Sequence, residues 1–285
     1  MIKHIMATTD LSARSDRAVR RAIKLAQTQQ AKLTVLCVLD NAMPDDMLDP
    51  LVGKARTTLE RLIAGAVQDT PLDHDIIIQQ GDPTTEILQT TVNTNADLLV
   101  MGIHRPRPFF DSLRETTVQR IVRQTDCPVL MVKDAADHDY EKIVSAVDFS
   151  PASTAAIQLA HTLSPQAIIE TLHVVHVPYQ GRLATGDQSA EALAAAFINE
   201  ARQNEKTWRG RESLPDTMKP VEIVQGSVYP ALCNMVLHSD AHLICVGAHG
   251  RMGTLRAVLG SVANDLMRDA PCDILIARPR QGQSE

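Results

Sequence analysis

The chain contains its own first half twice, and that repetition limits the folds open to it. Residues 2–12, IKHIMATTDLS, are matched by residues 142–150, KIVSAVDFS; both are apolar stretches ending in Asp, an apolar residue and Ser. LTVLCV at 33–38 matches IETLHV at 169–174, and ADLL at 96–99 matches AHLI at 241–244. Gly81 pairs with Gly226, Gly102 with Gly247, and CPVL at 127–130 with CDIL at 272–275. The register is constant from Gly81 onward, so the length difference between the copies falls mainly in 41–80. Two homologous domains of about 140 residues follow. They are expected at 1–134 and 141–280, with the polar stretch DAADHDYE (134–141) as the linker.

Within each copy, short apolar runs alternate with helical periods. In the first, strands are expected near 2–8, 33–39, 74–79, 97–102 and 128–132, and helices near 12–29, 46–68, 83–94 and 114–125. In the second, helices are expected near 151–163, 187–212, 228–239 and 255–269. Ser12 can cap the first helix. This βαβα order predicts an α/β fold, two tandem doubly wound parallel sheets of five strands with helices on both faces. Such sheets bind ligands beyond the carboxyl ends of their strands. Asp10 and Asp148 end the first strand of each copy, and in the second copy a glycine loop follows the fourth.

That loop lies in HLICVGAHGRMGTLRAVLGS, residues 242–261. A buried strand runs into Gly247-Ala248-His249-Gly250, and Gly260 and Ser261 precede Val262, Leu266 and Met267 at helical spacing. Ser261 is the expected N-cap. Free N–H groups at a helix start, with the positive end of its dipole, suit an anion. Gly247 and Gly250 would let phosphate oxygens approach the backbone without a Cβ in the way. This is not a Walker A loop: Gly181 to Gly186 is followed by Asp187 where a lysine is needed. Nor does a G-x-G-x-x-G open a helix.

The pattern G-x2-G-x9-G-S, intact as Gly247, Gly250, Gly260 and Ser261, resembles the ATP-binding signature of the universal stress protein family. With the repeat, the whole chain resembles the tandem members. The resemblance implies an adenine nucleotide alpha hydrolase-like fold, with strand order 3-2-1-4-5 in each half and a nucleotide across the strand ends. Carried onto this sequence, Asp148 would meet the adenosine end and Val174, just after the second strand, the adenine edge. Ala146, where some members have proline, and Val246 would line the base pocket. Gly247, His249, Gly250, Gly260, Ser261 and Val262 would surround ribose and phosphates. The fifth strands, ending near Val132 and Ala277, would pair as an intramolecular pseudo-dimer, leaving homodimerisation to another face. The implied function is stress response through ATP-dependent conformation or assembly with an unnamed protein partner. Any Mg2+ would bridge phosphate oxygens and water.

The two copies differ at the loop. The first has GIHRPRPFF at 102–110, then Glu115 and Thr116. Arg105 stands at the second glycine position and Glu115 at the third, where a carboxylate would repel a triphosphate. Pro106 and Pro108 stiffen the loop and remove two donors. Arg105 and Arg107 are alternative phosphate ligands, and Phe109 and Phe110 read as a packing anchor. One ATP site is expected, in the C-terminal half.

Composition excludes other classes. A net charge of −6 without a Lys/Arg run argues against a nucleic-acid grip. No apolar run of about 18 residues predicts a membrane span, and the start MIKHIMATTD lacks a signal-peptide layout, so a cytoplasmic protein is expected. The five cysteines have no C-x-x-C spacing and read as structural thiols. His173 and His176, three apart in a strand, point to opposite faces and do not suit one metal. No general base is evident, and Asp265 reads as a solvated helix residue, so hydrolysis is expected to be slow at most. The alternatives are a nucleotide-free scaffold or small hydrophobic-ligand binder, an enzyme of the same superfold, and a flavoprotein.

Overall fold

The computed structural model describes residues 1–39, 45–67, 71–103, 115–177, 188–248 and 259–279. The first half runs β1 (His4–Thr9), α1 (Ala13–Gln29), β2 (Lys32–Leu39), α2 (Asp45–Ala66), β3 (His74–Gln80), α3 (Pro83–Asn93), β4 (Leu98–Gly102), α4 (Thr117–Gln124) and β5 (Val129–Val132). The second repeats it with β6 (Lys142–Ala146), α5 (Pro151–Leu163), β7 (Ile168–Val175), α6 (Gln188–Arg211), β8 (Met218–Gln225), α7 (Val228–Ser239), β9 (Leu243–Gly247), α8 (Ser261–Arg268) and β10 (Asp273–Ala277).

Each half has the strand order 3-2-1-4-5, all parallel, and the two sheets merge. β5 pairs antiparallel with β10, Met131 opposite Ile274 and Val129 opposite Ile276, giving one ten-stranded sheet, β3-β2-β1-β4-β5-β10-β9-β6-β7-β8. The expected pseudo-dimer is therefore formed within the chain.

Central strands of a doubly covered sheet must be apolar on both faces. In β1, Ile5 and Ala7 face one core and Met6 the other, each with no exposed surface. One core packs under α1, α2, α5 and α6, the other under α3, α4, α7 and α8. The edges, β3 and β8, are more exposed and polar, which discourages further strand addition.

A polar cluster seals the junction. Arg21 of α1 and Asp273 of β10 are both buried, with Nε 3.5 Å from Oδ2. Tyr140, in the linker, donates its hydroxyl to the same Oδ2 at 2.5 Å, and the Arg21 guanidinium lies 4.4 Å from the Tyr140 ring centroid. The backbone N–H groups of Lys133 and Asp134 donate to Asp273 Oδ1 at 2.8 and 3.0 Å. Arg21 also donates to the carbonyls of Ala135 and His138. Burial pushes the Asp273 carboxyl up, against the pull of these donors and of Arg21. One carboxylate from the second half thus holds the linker against a helix of the first.

Candidate functional site

Both first strands end in the same polar turn. After Asp10 comes Leu11 with φ 60°, and after Asp148 comes Phe149 with φ 64°, a left-handed conformation unusual for bulky residues. Such strain persists where the surroundings enforce it. Here the enforcement is visible. Asp148 Oδ1 accepts from the Ser150 N–H at 3.1 Å and the Ser153 hydroxyl at 2.5 Å. Asp10 Oδ1 likewise accepts from the Ser12 N–H at 3.0 Å and the Ser15 hydroxyl at 2.7 Å. Ser12 and Ser150 also cap α1 and α5. Burial raises the Asp10 carboxyl, but the Ser12 and Ser15 hydrogen bonds outweigh it and hold the group below its ordinary value. Ser12 and Ser150 are read in the sequence as the ends of the strand motif, Ser12 also as a cap, but Ser15 and Ser153, which complete the turn, are passed over there. Their signal was available in D-x-S-x-x-S, present at 10–15 and 148–153.

In the second half, Ala146, Val174, Val246 and Val262 belong to the same side of the sheet. Ala146, Val174 and Val262, all half-buried, pack against the core that contains Val246 and Ala248. Val174 lies inside β7 rather than after it. The strand end is fixed by His173, whose Nδ1 is 2.7 Å from the Val147 carbonyl and whose ring lies 4.5 Å from Phe149. Because that carbonyl can only accept, Nδ1 carries the proton.

The glycines separate into two roles. A Cβ on Gly247 would lie 2.7 Å from Ala152 Cβ and 2.9 Å from its carbonyl carbon, so this glycine admits the first turn of α5 against β9. Gly102 does the same for α1, where a Cβ would meet Arg14 O at 3.1 Å. Their need for glycine is thus explained by helix packing. Gly260 is different. Its φ of −62° and ψ of 150° suit any residue, and among the described residues a Cβ would meet only the Ala248 oxygen, at 3.6 Å.

The start of α8 corrects one expectation. Gly260, not Ser261, is the N-cap, and Ser261 is the first helical residue, with its side chain exposed. The cause is the Gly260 N–H bond to the Ala248 carbonyl at 3.0 Å, which ties the extended cap residue to the end of the sheet. A glycine cap has no side chain, so among the described residues the N–H groups of Ser261, Val262 and Ala263 have no capping partner. At the equivalent α4 the opposite holds. Thr116 is the N-cap and forms a reciprocal capping box with Gln119. Beside it, Glu115 is ion-paired with Arg123.

The first half has an open cleft of about 800 Å3 at its strand ends. Its lining includes Thr8, Asp10, Val38 and Met101, the repeat counterparts of Ala146, Asp148, Val174 and Val246. It also includes Gly102, Glu115, Thr116 and Thr117, the counterparts of Gly247, Gly260, Ser261 and Val262. The residues expected at the second-half site are thus the repeat counterparts of residues that line this first-half space. His249 and Gly250 lie outside the described residues, as do Arg105, Arg107, Phe109 and Phe110 of the first copy. So does the region expected to begin the last helix at 255.

All five cysteines are free. Burial pushes the thiols of Cys37 and Cys245 up to about 11 and about 12, which makes them unreactive packing groups. Among the described residues, no cluster of three His, Cys, Asp or Glu is placed to hold a metal. Nor is any helix among them long and apolar enough to cross a membrane.

Comparison with known proteins agrees with this architecture. A universal stress protein from Mycolicibacterium smegmatis is 24% identical over 295 residues, covering 97% of this chain and 97% of its own. A universal stress protein from Thermus aquaticus is 30% identical over 139 residues, spanning its full length and 47% of this chain. The crystal structure of a universal stress protein from Archaeoglobus fulgidus superposes with a TM-score of 0.68 at 20% identity, covering 97% of this chain and 96% of that one. The model of the universal stress protein family matches twice, at residues 1–133 and 139–278. With nearly every residue inside one match or the other, the chain belongs to the universal stress protein family, as a tandem of two such domains.

Proposed function

We propose that this chain is an ATP-binding universal stress protein with one nucleotide site, in the second half, whose occupancy stabilises one conformation or assembly. The observation that carries the reading is the open start of α8. Three first-turn N–H groups have no side-chain cap, beside a Gly260 that adds no bulk, whereas the same place in the first half is closed by Thr116, Gln119 and Glu115. An anion satisfies such N–H groups and is favoured by the helix dipole. Ala146, Val174 and Val246 would form the apolar slot for the base, and Asp148 would accept from the ribose. Ser261 and Val262 would face the phosphates through their N–H groups, with Gly247, His249 and Gly250 completing the loop.

Mg2+ would take its ligands from phosphate oxygens and water. No described side chain is set as a general base at the phosphate end, so turnover is expected to be slow at most. The reading is of a binding switch, in which ATP must favour one state over another to have an effect.

The test is calorimetric titration of ATP into ligand-free protein, with and without Mg2+, alongside Gly260→Glu. One site per chain is expected in the wild type. The substitution should weaken it roughly a hundredfold, since like charges about 5 Å apart at an effective dielectric of ~20 cost about 3 kcal/mol. Backbone and space at Gly260 both accept a side chain, so the variant should fold and unfold like the wild type. Absence of ATP binding by the wild type would overturn the proposal and favour a nucleotide-free scaffold.

A further inference from the structure

Aromatic residues are few, 3% of the chain with a single tryptophan, yet two of them meet a histidine ring directly behind the Asp148 turn. Phe149, the residue held at φ 64°, has its ring centroid 4.5 Å from that of His173 on β7 and 5.5 Å from that of Trp208 on α6. Trp208 is 1% exposed and donates its indole N–H to the Thr154 hydroxyl oxygen at 2.8 Å. Thr154 in turn donates to the carbonyl of Ser150 at 3.3 Å, and the Ser150 N–H binds Asp148. Two buried routes, one of rings and one of hydrogen bonds, join the Asp148 carboxylate to α6.

The first half builds the same turn without these groups. It keeps Asp10, Ser12, Ser15 and a positive φ, but Leu11 stands at the place of Phe149, Asp16 at that of Thr154 and Cys37 at that of His173. The rings are therefore not needed to form the turn. They accompany the half whose α8 start has no side-chain cap. A ring in a close-packed interior has few alternative positions, so a small movement of the turn passes to its neighbours as a discrete shift instead of being absorbed.

We propose that the second half relays ligand occupancy at Asp148 to α6 through Phe149 and Thr154, so that the packing of α6 distinguishes the loaded protein from the empty one. This rests on the reading that Asp148 receives the sugar of a bound nucleotide. A hydroxyl arriving at the carboxylate competes with Ser150 and Ser153 for its charge, which loosens a turn that those bonds hold at positive φ. The movement reaches Trp208 by way of the Phe149 ring and the Thr154 hydroxyl. Linkage makes the coupling reciprocal: whatever fixes α6 in its loaded position also tightens nucleotide binding.

The only indole in the chain makes the relay visible as one resonance. The full chain, 15N-labelled, would be titrated with ATP and followed at the Trp208 indole N–H signal, with calorimetry on the same samples reporting occupancy. Trp208 is too deeply buried to touch the ligand, so a shift that saturates with occupancy is expected to come through its neighbours. Phe149→Leu installs the residue that the first half carries in the same backbone conformation. It should reduce the shift at full occupancy about twofold or more, and so should Thr154→Val. Bound ATP with an unmoved indole signal would overturn the relay while leaving the ATP site standing, as would a full-sized shift in either variant. Absence of ATP binding in the calorimeter would overturn the ATP site and the relay with it.

Discussion

Asp10 and Asp148 show how a single carboxylate is fixed in a strand-end turn. Each is held by one oxygen through a serine N–H and a serine hydroxyl, and each precedes a residue forced to positive φ. The strain of that turn, of order 1–3 kcal/mol, is offset by hydrogen bonds to a charged acceptor. For Asp10 the folded protein holds the carboxyl below its ordinary 3.8. The sign follows from linkage: a depressed folded value contributes stability above the unfolded value, and this is lost as pH falls through the folded one. Asp10→Asn should therefore be less stable than the wild type at neutral pH. The difference should shrink as pH drops below about 4, measured by denaturant unfolding at each pH. A difference that stays constant with pH would assign the effect to packing instead of charge.

Elements meet most closely where β9 ends against the first turn of α5, and that contact explains Gly247. Gly247→Ala should destabilise the protein by about 1–3 kcal/mol, because the new methyl would overlap Ala152 backbone and side chain together. Gly260→Ala should change stability by less than about 0.5 kcal/mol, a half-buried change without strain. Equal effects in urea unfolding would contradict the assignment. The two glycines looked alike in sequence, both set after a strand or before a helix. Only the crossing of α5 over the strand end separates them. Most elements were legible because apolar runs such as Leu33–Val38 are long and the helical periods are strong. Boundaries moved where a local bond decided them. α4 begins at Thr117 because Thr116 finds Gln119, and α8 begins at Ser261 because Gly260 is tied to Ala248. A serine before a helical period looks like a cap whether or not the backbone leaves it outside the helix.

At the scale of the whole molecule, the halves are joined by a strand pair and locked by Asp273. That lock was not readable from sequence, because Arg21, Tyr140 and Asp273 are far apart along the chain, and the repeat has proline at 128 where Asp273 stands. Asp273→Ala should cost about 3–5 kcal/mol, leaving Arg21 buried without its counter-charge. Tyr140→Phe should cost about 1–2 kcal/mol, the loss of one hydrogen bond to a charged group. Both are read from thermal and urea unfolding. A two-step transition in Asp273→Ala would show that the cluster couples the halves as well as stabilising them. The antiparallel meeting of β5 and β10 has one more consequence. It sets the strand ends of the two halves at opposite borders of the sheet, so their mouths open toward opposite poles. In a pair of identical chains every substitution arrives at both poles together. Here each pole is encoded separately and inherited in fixed one-to-one proportion, so one can be rewritten while the other keeps its original chemistry.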